Sequence, residues 1–132
     1  MQSKIWVFAE QRQGQLAEVG LELLGKALEL AHPIGWKVAL VLIGHHMGLL
    51  GLKLSTFGAD EILVVDHPIL GPYCSKTYIK VLEKTVRQGQ PEAFLFGATA
   101  MGTDLSARLA ARLRTGLSAH CIDLDFRRRG SY

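Results

Sequence analysis

The chain has 132 residues, 48% of them hydrophobic, with 15 lysines and arginines against 12 acids and a formal net charge of +3. That length is one domain, able to bury about two-thirds of its unfolded surface without disulfide or metal staples, and the apolar content excludes an unfolded chain. Arg127, Arg128 and Arg129 account for the whole excess of positive charge, which implies a basic tail at 127–132 rather than a basic face for nucleic acid.

In chain order, Lys4 to Ala9 (KIWVFA) is too short for a helix and reads as a buried strand. Gln11 to Gln15 is a polar turn around Gly14. Leu16, Val19, Leu23, Leu24, Ala27 and Leu30 then recur at steps of three and four, one apolar stripe on a helix. Pro33 and Gly35 stop it. Trp36 to Ile43 (WKVALVLI) is continuously apolar, as expected of a strand covered on both faces of a parallel sheet.

His45 to Phe57 is a weaker helix, interrupted by Gly48 and Gly51. Glu61 to Val65 is a third strand, and residues 66–75 form a loop with Pro68, Gly71 and Pro72. Lys76 to Gln88 is a helix carried by Ile79, Val81, Leu82 and Val86, and Ala93 to Phe96 is a fourth strand. The spacing predicts a last helix over Asp104 to Arg114, with Leu105, Leu109 and Leu113 on one line and Gly116 at its end. Leu117 to Phe126 is a fifth strand or extended arm. Strictly alternating strands and helices imply a three-layer α/β/α domain around a five-stranded, mostly parallel sheet.

The candidate site is the Gly97 to Thr103 turn, at the carboxyl end of the fourth strand, where such sheets bind ligands. Its small residues admit a ligand close to backbone, so Gly97, Thr99, Gly102 and Thr103 are the candidate nucleotide loop. It matches neither a phosphate-binding P-loop nor GxGxxG. Asp104 is expected to cap the following helix, and would repel a phosphate there; it can also pair with Arg108 four residues on. The capped turn is the preferred of the two readings.

Other residues carry less. His45 and His46 lack a third ligand at helpful spacing, so no metal site is expected. Cys74 and Cys121 form no CxxC and no disulfide framework, which points to a reducing, cytoplasmic setting. Cys74 has no adjacent base. Trp6 and Trp36 are expected in the core. Met47 to Leu54 (MGLLGLKL) is either core or an interface helix, with core preferred. The N-terminal apolar run is too short for a signal peptide, and Val38 to Ile43, the longest such run, is far short of a membrane span. Asp123 and Asp125 alternate with apolar residues as in a half-exposed strand. No nucleophile–base pair can be argued, so no catalytic residue is assigned.

Several segments together carry a family resemblance. Val7-Phe8-Ala9-Glu10, Leu16-Ala17-Glu18, Glu22-Leu23-Leu24-Gly25, Gly58-Ala59-Asp60, Gly97-Ala98-Thr99, Asp104-Leu105, Arg108, Ala110-Ala111-Arg112-Leu113 and Thr115-Gly116-Leu117 resemble the N-terminal domain of the α subunit of electron transfer flavoproteins, over residues 4 to 125. The chain departs from the family pattern at Thr103 (usually Arg), Ala107 (usually Pro) and His120 (commonly Asp).

The resemblance implies an adenine nucleotide alpha hydrolase-like, Rossmann-like domain over residues 1–126. It implies a heterodimer with a β subunit, in an electron carrier that is not itself an enzyme. Electrons would come from acyl-CoA or other dehydrogenases and pass on, often to a membrane quinone reductase. In the family FAD is held mostly by a C-terminal domain, which is expected to be absent from this chain, and AMP by the β subunit. The implied role here is a scaffold without cofactor, metal, nucleic acid or membrane insertion. The alternative from a different class is an AMP- or ATP-binding domain of universal-stress-protein type, with the Gly97 turn holding phosphate.

Overall fold

The computed structural model describes residues 3–113 and 121–122. Strands β1 (Lys4–Phe8), β4 (Lys37–Gly44), β5 (Glu61–Asp66), β6 (Ala93–Leu95) and β7 (Cys121–Ile122) form one sheet in the order β5-β4-β1-β6-β7. All four pairings are parallel: Trp6 lies beside Ala39 and Phe94, Val41 beside Leu63, and Phe94 beside Cys121. Between β1 and the first long helix, β2 (Gln11–Arg12) and β3 (Gln15–Leu16) form a small antiparallel hairpin. Gln13 (φ 52°) and Gly14 (φ 81°) turn it with two positive φ angles, the geometry that suits a two-residue hairpin. The polar turn expected there is thus a hairpin.

Four helices cover the sheet: α1 (Glu18–Ala31), α2 (Gly48–Leu54), α3 (Ser75–Gly89) and α4 (Ala100–Leu113). Successive strand residues face opposite ways, and this sorts the core into two halves. Trp6, Phe8, Val41, Phe94 and Phe96 meet Tyr78, Leu82, Leu105 and Leu109 of α3 and α4. Ile5, Val7, Leu40, Leu42 and Leu95 meet Leu23, Leu24, Ala27 and Leu54 of α1 and α2. Right-handed crossovers explain the division. The chain steps from β1 through α1 to β4 and through α2 to β5, then returns across the sheet through α3 to β6.

Several boundaries differ from expectation. α4 begins at Ala100, not Asp104, because Thr99 caps it. α2 is only seven residues long and continues as a 3-10 turn over Ser55–Phe57. Its apolar residues divide: Met47, Gly51 and Leu54 are buried, but Leu49 is 84% and Leu52 69% exposed, so the stretch is not simply core. On α1, Leu30 is exposed while Ala31, closer to the centre of the buried arc, takes the core position. Trp6 is fully buried, and Trp36 is half-buried against the α1 side of the core.

Leu105, Leu109 and Leu113 all lie in the core. The expected Gly116 stop and the 127–132 tail lie outside the described residues, as does the 117–126 strand apart from Cys121–Ile122. Among the described residues no helix is long and apolar enough to cross a membrane.

Charge counted over the whole sequence conceals how the fold distributes it. α3 and α4 carry Lys76, Lys80, Lys84, Arg87, Arg108 and Arg112 against only Glu83 and Asp104, whereas α1 carries Glu18, Glu22 and Glu29 against Lys26. A basic face therefore exists on the folded domain, in addition to the tail triplet.

Candidate functional site

The sheet reverses its strand order at β1, which has β4 on one side and β6 on the other. The chain leaves β1 toward α1 on one face and leaves β6 toward α4 on the other, so a crevice opens beyond their carboxyl ends. Glu10 and Gln11 enter it from β1, and Gly97 to Thr99 enter it from β6.

Thr99 organises the second of these connections. Its hydroxyl accepts from the Gly102 N–H at 2.9 Å and donates to Glu10 Oε1 at 2.6 Å. Its carbonyl accepts from the Thr103 N–H at 2.9 Å. The start of a helix offers unpaired amides and a partial positive charge, which attract anions. Here the Gly102 and Thr103 amides already have acceptors. The negative group placed beside them is the chain's own Glu10 carboxylate, only 7% exposed.

The turn is also closed on itself. A Cβ at Gly102 would overlap the Gly97 carbonyl, and one at Gly97 would meet Val19 of α1. Of the four candidate residues, Gly97, Thr99 and Gly102 come together in the crevice. Thr103 instead sits exposed on the first turn of α4. The turn thus packs against itself and against α1, and Glu10 supplies an acceptor for Thr99 within the chain.

Asp104, expected as the cap, lies inside α4. Its Oδ1 accepts from Arg108 Nε at 2.8 Å, the anticipated i,i+4 pair, and its Oδ2 accepts from Tyr73 Oη at 3.1 Å. The Arg108 hydrogen bond holds the Asp104 carboxyl below the usual carboxylate range, with Tyr73 adding to it against the opposing effect of burial. Burial, and then the hydrogen bond to Asp104, push the Tyr73 phenol up to about 12. The Arg12 guanidinium from the hairpin lies over the Tyr73 ring at 5.9 Å, and the two border a recess of about 430 Å³ with Gln13, Pro72 and Tyr78.

Two side chains that pin the crevice were given no role from the sequence. Gln11 is 5% exposed; its Nε2 donates to the Ile43 carbonyl at 2.8 Å, and its Oε1 accepts from the Gly14 N–H at 2.9 Å. It ties the hairpin to the end of β4. Glu10 was visible only as part of a family pattern. The available signal for both was two polar residues directly following a buried apolar strand, a place where burial demands partners.

The His45 and His46 rings lie with centroids 3.6 Å apart, tilted by 37°, and His45 Nδ1 lies 3.6 Å from Asp66 Oδ1. Asp66 accepts from the His46 and Met47 amides, each at 2.9 Å, ahead of α2. Among the described residues no group of three or more His, Cys, Asp or Glu is placed to hold a metal ion. Cys74 is exposed just before α3, and amides of Thr77 and Lys76 hold its thiol below the ordinary range.

A family model described as the electron transfer flavoprotein domain matches residues 5–131. The chain is 46% identical over 126 residues to the electron transfer flavoprotein subunit alpha of Thermoanaerobacterium thermosaccharolyticum, covering 96% of this chain and 38% of that protein. It is 45% identical over 121 residues to the subunit of the same name from Clostridium acetobutylicum, covering 92% and 36%. It is also 45% identical over 121 residues to the acryloyl-CoA reductase electron transfer subunit beta of Anaerotignum propionicum, covering 92% and 33%. The chain thus spans about a third of the length of these relatives.

Proposed function

We propose a scaffold role for this chain, from the premise that it belongs to the electron transfer flavoprotein family. In this reading it is the N-terminal domain of an α subunit, residues 1–126. It docks a β subunit and supports a separate flavin-carrying domain, the assembly serving as an electron carrier in the cytoplasm. Donors are acyl-CoA or other dehydrogenases, and a quinone reductase is the acceptor. Electron acceptance and release are chemistry that FAD supplies when bound, and this chain contributes no catalytic residue.

The observation that carries the reading is the Glu10–Thr99 contact. It joins the connection after β1 to the start of α4 through a carboxylate of the chain itself, which supports a structural role for the turn. The crevice that binds nucleotides in related architectures is here a joint between two connections. In this reading its residues orient backbone rather than hold FAD or AMP.

Calorimetric titration of the 132-residue chain with FAD, and separately with AMP and ATP, tests this. The expected result is no saturable heat with any of the three. Stoichiometric FAD binding would overturn the scaffold role, and micromolar AMP or ATP binding would favour a nucleotide-binding domain of universal-stress-protein type.

A further inference from the structure

We propose that the outer face of α3 and α4 is a docking surface for an acidic protein partner. Lys76, Lys80 and Lys84 lie at steps of four along α3, one exposed line of ammonium groups spanning about 12 Å. None has a carboxylate partner among the described residues. The one acid nearby on α3, Glu83, is already committed: Oε2 accepts from Arg87 at 2.8 Å, and Oε1 from Arg112 of α4 at 3.0 Å. That bridge holds the two helices together and leaves the lysines as surplus charge.

Between the helices runs a shallow groove of about 300 Å³. Ile79 and Ala111 give it an apolar floor, and Lys76, Arg108 and Arg112 border it. An apolar centre with a cationic rim is the layout of a protein contact, in which rim charges steer encounter and exclude wrong partners.

Size and sign select the occupant. α3 has 15 residues, so it is about 22 Å long. Two neighbouring helices present a face roughly 20 Å wide, on the order of 450 Å² per partner. Doubled, that is below the roughly 1,200 Å² at which stable interfaces begin, and falls in the class of transient encounters. A second copy meeting this face with its own would oppose like charges. Single-stranded nucleic acid finds no exposed aromatic platform on either helix, since Tyr78 is buried. An acidic protein surface, met briefly and released, is what remains. The inference rests on charge geometry and goes beyond the scaffold reading, so FAD titration and the experiment below fail independently.

The 15N-labelled full chain is titrated with a helical peptide carrying Glu at every fourth position beside leucine, with a scrambled peptide of identical composition, and with duplex DNA. Amide shifts are expected to map to α3 and α4. Affinity should fall at least about tenfold between roughly 20 and 200 mM salt, as screening shortens the reach of exposed charges. The scrambled peptide and DNA should bind at least about fivefold more weakly, a loss set by the geometry of rim charges around an apolar centre. The combined Lys76→Glu, Lys80→Glu and Lys84→Glu variant should lose the interaction while keeping its circular dichroism spectrum. The combined Lys26→Glu and Lys53→Glu variant, altered on the opposite layer, should keep it. Equal binding of the scrambled peptide, tighter binding of DNA, concentration-dependent self-association through these helices, or unchanged binding by the triple variant would each overturn the proposal.

Discussion

On one face of the sheet, Trp6, Phe8, Phe94 and Phe96 project toward α3 and α4; on the other, Val7, Leu40, Leu42 and Leu95 meet α1 and α2. The aromatic side has specified geometry. Phe8 and Phe96 stack at 5.3 Å, Phe94 and Phe96 lie 4.5 Å apart, and Trp6 meets Phe94 edge-on at 5.5 Å. Its glycines are there for lack of space: a Cβ on Gly89 would enter the Trp6 ring, and one on Gly102 would enter the Gly97 carbonyl. Close packing leaves Trp6 Nε1 buried without a hydrogen-bond partner among the described residues. The aliphatic side has crowded glycines too: a Cβ on Gly44 would meet Met47, and one on Gly97 would meet Val19 of α1, whereas glycines at exposed helix positions have room. Gly25 of α1 and Gly48 of α2 have open space where a side chain would go. The same sheet thus has an aromatic face, whose helices carry surplus positive charge, and an aliphatic face with a net acidic α1.

The largest expected effect comes from a crowded glycine of the aromatic side, set against an open one on α1. Gly102→Ala sets a methyl group against backbone that cannot yield, and should destabilise by about 3 kcal/mol. Gly25→Ala, in an open helical position, should stabilise by about 0.5–1 kcal/mol. Urea denaturation midpoints measure both, and effects of the same sign would contradict the difference in space at the two positions.

Next in size is the contact that joins the two layers. Glu10 follows β1 on the way to α1, and Thr99 introduces α4. Replacing either by Ala should cost about 1.5–2 kcal/mol, as expected for a buried hydrogen bond to a charged group. The double variant should show a coupling of about 1 kcal/mol in a thermodynamic cycle. Additive losses would mean that the two connections are held independently.

Acid sensitivity is the subtlest comparison. Asp60 and Asp66 serve the α1 and α2 side, and Asp104 serves α4. For Asp60, burial works upward, but the hydrogen bond from the Val38 amide, followed by His32, prevails and holds the carboxyl below 3.8. Asp66 lies below 3.8 chiefly through the Met47 amide, and Asp104 chiefly through Arg108. Carboxyls depressed in the folded state bind fewer protons than in the unfolded chain. Their contribution is therefore fully present above the unfolded value near 3.8 and is lost as pH falls through the lower folded values. Denaturation midpoints should drop on acidification below about pH 4. Asp60→Asn should flatten that decline more than Asp104→Asn, whose pair is more exposed to solvent screening. An equal or reversed order would contradict this.

How much was legible depended on whether the deciding partner was near in the chain. WKVALVLI reads as a doubly covered strand because a sheet with helices on both faces can bury every residue from Val38 to Ile43. The Leu105, Leu109 and Leu113 line shows the face of α4. Its start lies four residues before the one expected from Asp104 as the cap. Thr99 is the cap, and it is fixed from the far side by Glu10, 89 positions away. Nothing local marks that pairing.

By itself the sequence determined the alternation of strands and helices, the parallel sheet and the family, because hydrophobic periodicity and short motifs are local properties of the chain. Only the tertiary structure decided that an internal carboxylate bridges the two connections at the crevice and that positive charge gathers on one helical layer. Both depend on which distant residues the crossovers bring together, and burial and Coulomb interactions act on separation in space, not along the chain.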